Sequence, residues 1–121
     1  MLNKTLLIGN LTKDPELKYT PQGTAVCNLR LASNILIKRK DGQDKEEVVF
    51  ITATVWGKRA ENCANQLKKG SHIFVEGRLQ TRSWEAQDGK KLSVIEIHVE
   101  NIQFLDRAKE GTSAEEPEQE D

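Results

Sequence analysis

Residues 46–70 read EEVVFITATVWGKRAENCANQLKKG, and the period of the pattern changes once inside them. From Glu46 to Gly57 the residues alternate. Val49, Ile51, Ala53 and Val55 share one side; Val48, Phe50, Thr52, Thr54 and Trp56 share the other. That is a strand with one face packed, the aliphatic set being its core side. From Lys58 to Lys69 the apolar residues Ala60, Cys63, Ala64 and Leu67 recur at i, i+3, i+4 and i+7, one face of a short helix. Gly70 follows as a helix stop.

Working outward, the flanks add strands and no second helix. On the N-terminal side, Leu6-Leu7-Ile8 closed by Gly9-Asn10 reads as a first strand. Asp14-Pro15 breaks the chain, and Thr20-Pro21-Gln22-Gly23 is a turn. Ala25–Ile37 alternates, with Cys27, Leu29 and Leu31 on one side and Asn28 and Arg30 on the other. KRKDGQDK (38–45) then forms a polar hairpin connection. On the C-terminal side, His72–Glu85 is a strand, AQDGK (86–90) a hairpin turn and Lys91–Leu105 the last strand. The order is strand, strand, strand, helix, strand, strand. It predicts an all-β chain: a five-stranded Greek-key barrel with one short helix between strands 3 and 4, the OB architecture. A parallel sheet needs more helices than this chain offers.

The chain has 121 residues, enough for one ordinary domain. The net charge of −1 conceals an asymmetry. Residues 1–105 hold 16 Lys/Arg against 12 Asp/Glu, whereas residues 106–121 hold two against seven. We therefore divide the chain into a mildly basic OB domain, 1–105, and a disordered acidic tail, 106–121, which has no apolar periodicity. No run of 18 apolar residues exists, so no membrane partner is expected, and the N-terminus does not read as a signal peptide. Two Cys make neither a zinc site nor a disulfide framework, which points to a reduced, cytoplasmic compartment. Cys27 and Cys63 fall on inward faces and read as small buried apolar residues. His72 and His98 have no partner at metal spacing. No nucleophile–base set, phosphate loop or carboxylate pair stands out, so neither an enzyme nor a cofactor or metal is expected.

The six aromatics carry the functional reading. Along 72–85, Ile73, Val75, Gly77 and Leu79 face inward, and Phe74, Glu76, Arg78, Gln80, Arg82 and Trp84 face outward. Phe50, Trp56 and Trp84 thus stand on polar faces near basic residues. An exposed ring is costly unless covered. A nucleobase covers it, at about 1–3 kcal/mol per base and without sequence preference. Neighbouring Lys and Arg hold phosphates and release counterions. The competing reading is that these rings cover the barrel or fill a subunit interface. Lys38-Arg39-Lys40 suits a phosphate backbone or a merely solvated loop. Lys68-Lys69 falls at a helix C-terminus, where positive charge is favourable in any case.

These residues resemble a known family. Leu7-Ile8-Gly9-Asn10-Leu11, Asp14-Pro15-Glu16-Leu17-Lys18-Tyr19, Gly23-Thr24-Ala25-Val26, Val55-Trp56-Gly57-Lys58, Leu67-Lys68-Lys69-Gly70-Ser71, Val75-Glu76-Gly77-Arg78-Leu79 and Thr81-Arg82-Ser83-Trp84 look like the bacterial-type single-stranded DNA-binding proteins, in order from Asn3 to Leu105. The resemblance implies an OB fold assembled as a homotetramer that wraps single-stranded DNA. Phe50, Trp56 and Trp84 fall on stacking positions, and Lys58, Lys69 and Arg82 on basic positions near the strand. Two departures are visible. A fourth stacking position, aromatic in many members, is Ile37, so stacking there is expected to be weaker. Many members also end in an acidic tip with a terminal Pro-Phe that docks on replication and repair proteins. Residues 114–121 (AEEPEQED) keep the acid without that plug, so partner recruitment is expected to lack an anchor.

The leading expectation is a non-enzymatic, nucleoid-associated protein that coats single-stranded DNA in replication, recombination and repair. A primosome-type OB scaffold that tethers replication partners is the alternative; the retained aromatics argue against it. An RNA-binding OB domain would need contacts to base edges or the 2′-hydroxyl, for which no feature is evident.

Overall fold

The alternation of residues 25–56 and 72–104 is realised as long strands that bend around one core. The structure, a computed structural model, describes residues 1–105, and the expected tail over 106–121 lies outside the described residues. The elements are β1 (Thr5–Leu11), β2 (Glu16–Tyr19), β3 (Ala25–Ile37), β4 (Lys45–Trp56), α1 (Lys58–Gln66), β5 (His72–Glu85) and β6 (Lys91–Phe104). The sheet order is β1-β5-β6-β4-β3-β2, and β1 also pairs with β3. That last pairing closes β1, β3, β4, β6 and β5 into the five-stranded OB barrel, with β4 and β6 parallel through Ala53↔Ile97 and Thr54↔His98.

The break at Asp14-Pro15 and the turn at Thr20–Gly23 are both present, and the structure adds a short strand, β2, between them. β1 meets β3 at Asn10↔Ala32 and Leu11↔Leu31, and β2 resumes on the same edge at Glu16↔Asn28. From Leu11 to Glu16 is five steps, against three from Leu31 to Asn28, so two residues are looped out around Asp14-Pro15. β2 is therefore the continuation of β1 beyond a bulge. β2 is four residues long, so the alternation of Leu17 and Tyr19 is too short to mark a strand, and all four residues are exposed.

The core forms where the inward rows converge. Leu11, Cys27, Leu29, Leu31, Val55, Ile73, Val75 and Ile97 are fully buried, and α1 adds Ala60 and Cys63. Burial pushes the Cys27 thiol up to about 11 and the Cys63 thiol to about 12, so both stay protonated and unreactive near neutrality. Gly57 (φ +79°) makes the corner from β4 directly into α1, a conformation that suits glycine. Gly77 serves a different need. β5 and β6 slip register between Glu76 and Gly77, and a Cβ at Gly77 would collide with the His98 carbonyl oxygen.

Two further expectations are corrected. The helix ends at Gln66, and Leu67 is already extended, so Lys68 and Lys69 lie beyond the last turn. Val49 is not core but 51% exposed, and Leu79 is exposed as well. The cause is geometric: the β3–β4 and β5–β6 hairpins run past the closed part of the barrel. Their inward rows, Ile35, Val49, Leu79 and Ile95, emerge there unburied. The first strand is present as expected, and its outer side carries exposed Leu6 and Ile8.

Candidate nucleic-acid interface

The outer rows of β4, β6 and β5 make one continuous surface, because Thr54 lies beside His98 and His98 beside Arg78. Phe50 and Trp56 project from β4 on the side of Thr54. Arg82 and Trp84 project from β5 on the side of Arg78. The three aromatics predicted outward therefore share a face. They are 57%, 44% and 40% exposed, respectively. The middle of the face is closely packed: Thr54 is buried and its hydroxyl donates to the Ile97 carbonyl at 3.4 Å.

Two guanidinium groups lie against the rings. The Arg82 guanidinium carbon is 4.7 Å from the Trp84 ring centroid, and its Nε donates to Glu96 Oε2 at 2.9 Å. Arg30, on β3, donates from a terminal nitrogen to the Thr52 hydroxyl at 3.2 Å, and its guanidinium carbon lies 5.9 Å from the Phe50 centroid. Such pairs are cation–π contacts that also hold each ring in place. Arg78 shares the face, 3.4 Å from Glu100 Oε2. Hydrogen bonds from Lys4 and Asn101 hold the Glu76 carboxyl below its ordinary range.

The remaining candidates are dispersed. Lys38, Arg39 and Lys40 are exposed past the Ile37↔Lys45 pair, at the tip of the β3–β4 hairpin. That pair is five residues, about 17 Å, beyond the Ala32↔Phe50 pair. Lys58 opens α1 two residues after Trp56 and is exposed. Lys69 is on the α1–β5 loop rather than on the sheet. Its backbone N–H donates to Asp14 Oδ1 at 2.8 Å, tying that loop to the bulge between β1 and β2. The structure thus gathers Phe50, Trp56, Trp84, Arg78 and Arg82, borders them with Lys58, and leaves Lys38–Lys40 and Lys69 outlying. It also adds Arg30 and Glu96, which sequence reasoning had not proposed as site residues. Alternation marks Arg30 as outward, but only the β3–β4 register sets it against Phe50.

Among the described residues, no group of three or more His, Cys, Asp or Glu is arranged to hold a metal ion. None of their helices is long and apolar enough to cross a membrane. Residues 2–105 match the Single-strand binding protein family. The chain belongs to that family. It is 51% identical over 111 residues to the single-stranded DNA-binding protein 3 of Listeria innocua, covering 92% of this chain and 68% of that one. It is 48% identical over 113 residues to the single-stranded DNA-binding protein A of Bacillus subtilis, covering 93% and 64%. The chain thus spans about two thirds of these relatives' lengths. Among solved structures, a deletion mutant of the Thermus aquaticus single-stranded DNA binding protein superposes with a TM-score of 0.76 at 39% identity, over 87% of this chain and 51% of that one. A Plasmodium falciparum SSB in complex with ssDNA superposes with a TM-score of 0.79 at 27% identity, over 88% and 97%. Within this single-strand binding family member, the ring-bearing face is the broad surface on which aromatic and cationic groups meet.

Proposed function

We propose that this chain binds and coats single-stranded DNA, without sequence preference, during replication, recombination and repair, and that it is not an enzyme. The observation that carries this reading is the shared face of Phe50, Trp56 and Trp84 with guanidinium groups against two of the rings. Exposed rings stack any base, and adjacent cations neutralise phosphates. Residues 1–105 form the binding domain. Arg78, Lys58 and Arg82 lie nearest the stacked bases; Lys38–Lys40 and Lys69 follow the strand as it leaves the sheet. The match to a chain solved with ssDNA supports the same reading. The scaffold alternative gains nothing from a face so well furnished with rings.

A homotetramer fits the two exposed apolar surfaces. Leu6 and Ile8 make one, on the outer side of β1. Ile35 and Val49 on the β3–β4 hairpin, with Leu79 and Ile95 on the β5–β6 hairpin, are the other exposed apolar set. A tetramer of twofold symmetry needs two different self-complementary faces of this kind. Assembly is checked by light scattering or sedimentation. The acidic charge of residues 106–121 would steer replication and repair proteins without anchoring them, in a cytoplasmic, nucleoid-associated setting.

The test is a tryptophan-fluorescence titration with unstructured oligo-dT at low and moderate salt, with duplex DNA of equal length as control. Quenching by the single strand that weakens with salt and is absent for duplex supports the reading. Equal, weak responses to both would overturn it.

A further inference from the structure

Glu96 is an acid on a face suited to a polyanion, and it is 3% exposed. We propose that Glu96 is a positioning residue for the nucleic acid: it fixes the Arg82 guanidinium against Trp84, so that ring and cation form one preformed platform. The inference rests on the single-strand-binding reading above.

The geometry is a chain of two contacts. Glu96 Oε2 accepts from Arg82 Nε at 2.9 Å, and the guanidinium carbon lies 4.7 Å from the Trp84 centroid. The second carboxylate oxygen, Oε1, is buried and accepts no hydrogen bond from the described residues. A desolvated carboxylate with an orphaned oxygen is a poor stabilising device, the more so because its partner's side chain is 56% exposed. It also repels phosphate. What the pair supplies is orientation. The ring meets the guanidinium on one side and the ion pair holds it at Nε. The ion pair engages Nε, so neither terminal nitrogen is needed for it. An arginine is rotamer-rich, and a ligand that must order it binds more weakly. Glu96 does that ordering before the strand arrives.

The sign of the effect separates this proposal from simple charge repulsion. Replacing Glu96 by Gln removes a negative charge from the face, and repulsion alone predicts tighter binding. The proposal expects Glu96→Gln to weaken oligo-dT binding about two- to tenfold, the range that ordering one side chain commands. The melting temperature should not fall, because the charge removed is the buried one. In an Arg82→Ala background, Glu96→Gln should cause no further loss, since the group it positions is gone. Arg82→Lys keeps the charge without the planar fork and should bind more weakly than wild type, though not as weakly as Arg82→Ala. If Glu96→Gln fails to fold, full affinity in Arg82→Lys still overturns the proposal, because a held fork would then be unnecessary. Wild-type or tighter binding by Glu96→Gln, an equal loss in the Arg82→Ala background, or full affinity in Arg82→Lys would each overturn the proposal. Absence of oligo-dT binding by the wild-type chain would instead remove the reading on which it rests.

Discussion

Arg30 reaches from β3 across the strand gap to Phe50 on β4, its guanidinium carbon 5.9 Å from the ring centroid while a terminal nitrogen donates to Thr52. The two residues come from adjacent strands and meet only because Arg30 pairs with Thr52 and Ala32 with Phe50. Replacing Arg30 by Ala is expected to weaken oligo-dT binding about three- to tenfold, through the lost cation–π and charge contacts. If Arg30 also meets a phosphate, the slope of log affinity against log salt falls by about 0.7, the share of one phosphate on a single strand. An unchanged slope would restrict Arg30 to holding the Phe50 ring.

The rings themselves should matter for binding and little for folding. Phe50→Ala, Trp56→Ala and Trp84→Ala are each expected to cost about 1–3 kcal/mol of affinity for a single strand. Each ring is at least 40% exposed, so melting temperatures should move little. Anisotropy titrations of labelled oligo-dT, paired with thermal melts, separate the two effects. A large drop in melting temperature at any of the three would return that ring to the role of barrel cover or interface.

Much of this face is legible in the primary structure because period 2 is strict in β4 and β5. The outward side of Phe50, Trp56, Arg82 and Trp84 follows from counting residues, and the His72–Glu85 strand appears with the bounds read for it. Counting fails where a strand is too short to show a period, as in the four-residue β2. It fails again where a strand outruns the barrel, as at Val49 and Leu79. Alternation reports which side a residue takes and says nothing about whether a neighbour covers that side. Partnerships across strands are the third gap. Arg30 with Phe50 and Arg82 with Glu96 depend on register, and register is a property of the closed barrel rather than of any one strand.

Gly77 is expected to be the least replaceable glycine on the sheet. Gly77→Ala drives a methyl group into the His98 carbonyl, and the backbone on both sides must move. A loss of about 3 kcal/mol or more is expected, at the upper end for overpacking. Gly89→Ala meets open space and bears only the positive-φ penalty, about 1–2 kcal/mol. Denaturant midpoints of the two variants check the ranking.

The buried thiols predict a one-sided pH effect. Cys27 and Cys63 titrate at about 11 and about 12 in the folded chain, against an ordinary 9.0. Below 9 both states hold the protons and stability is unaffected. Above 9 the unfolded chain releases them first, so stability declines from pH 9 up through 11–12. A Cys27→Ala/Cys63→Ala double variant should show a shallower decline in melting temperature over that window. Native protein at pH 8 should also resist a thiol reagent that labels both cysteines after denaturation.

Core residues and ring-bearing residues alternate one by one along β4 and β5. A single inserted or deleted residue within either strand would therefore exchange the two sets, sending charged and aromatic side chains inward and aliphatic ones to the surface. The lengths of these strands are consequently frozen, while the identity of each outward residue is free to drift as ligand demands change. Length variation among descendants of this chain should be confined to the connections at 38–44 and 86–90, where an added residue shifts no row.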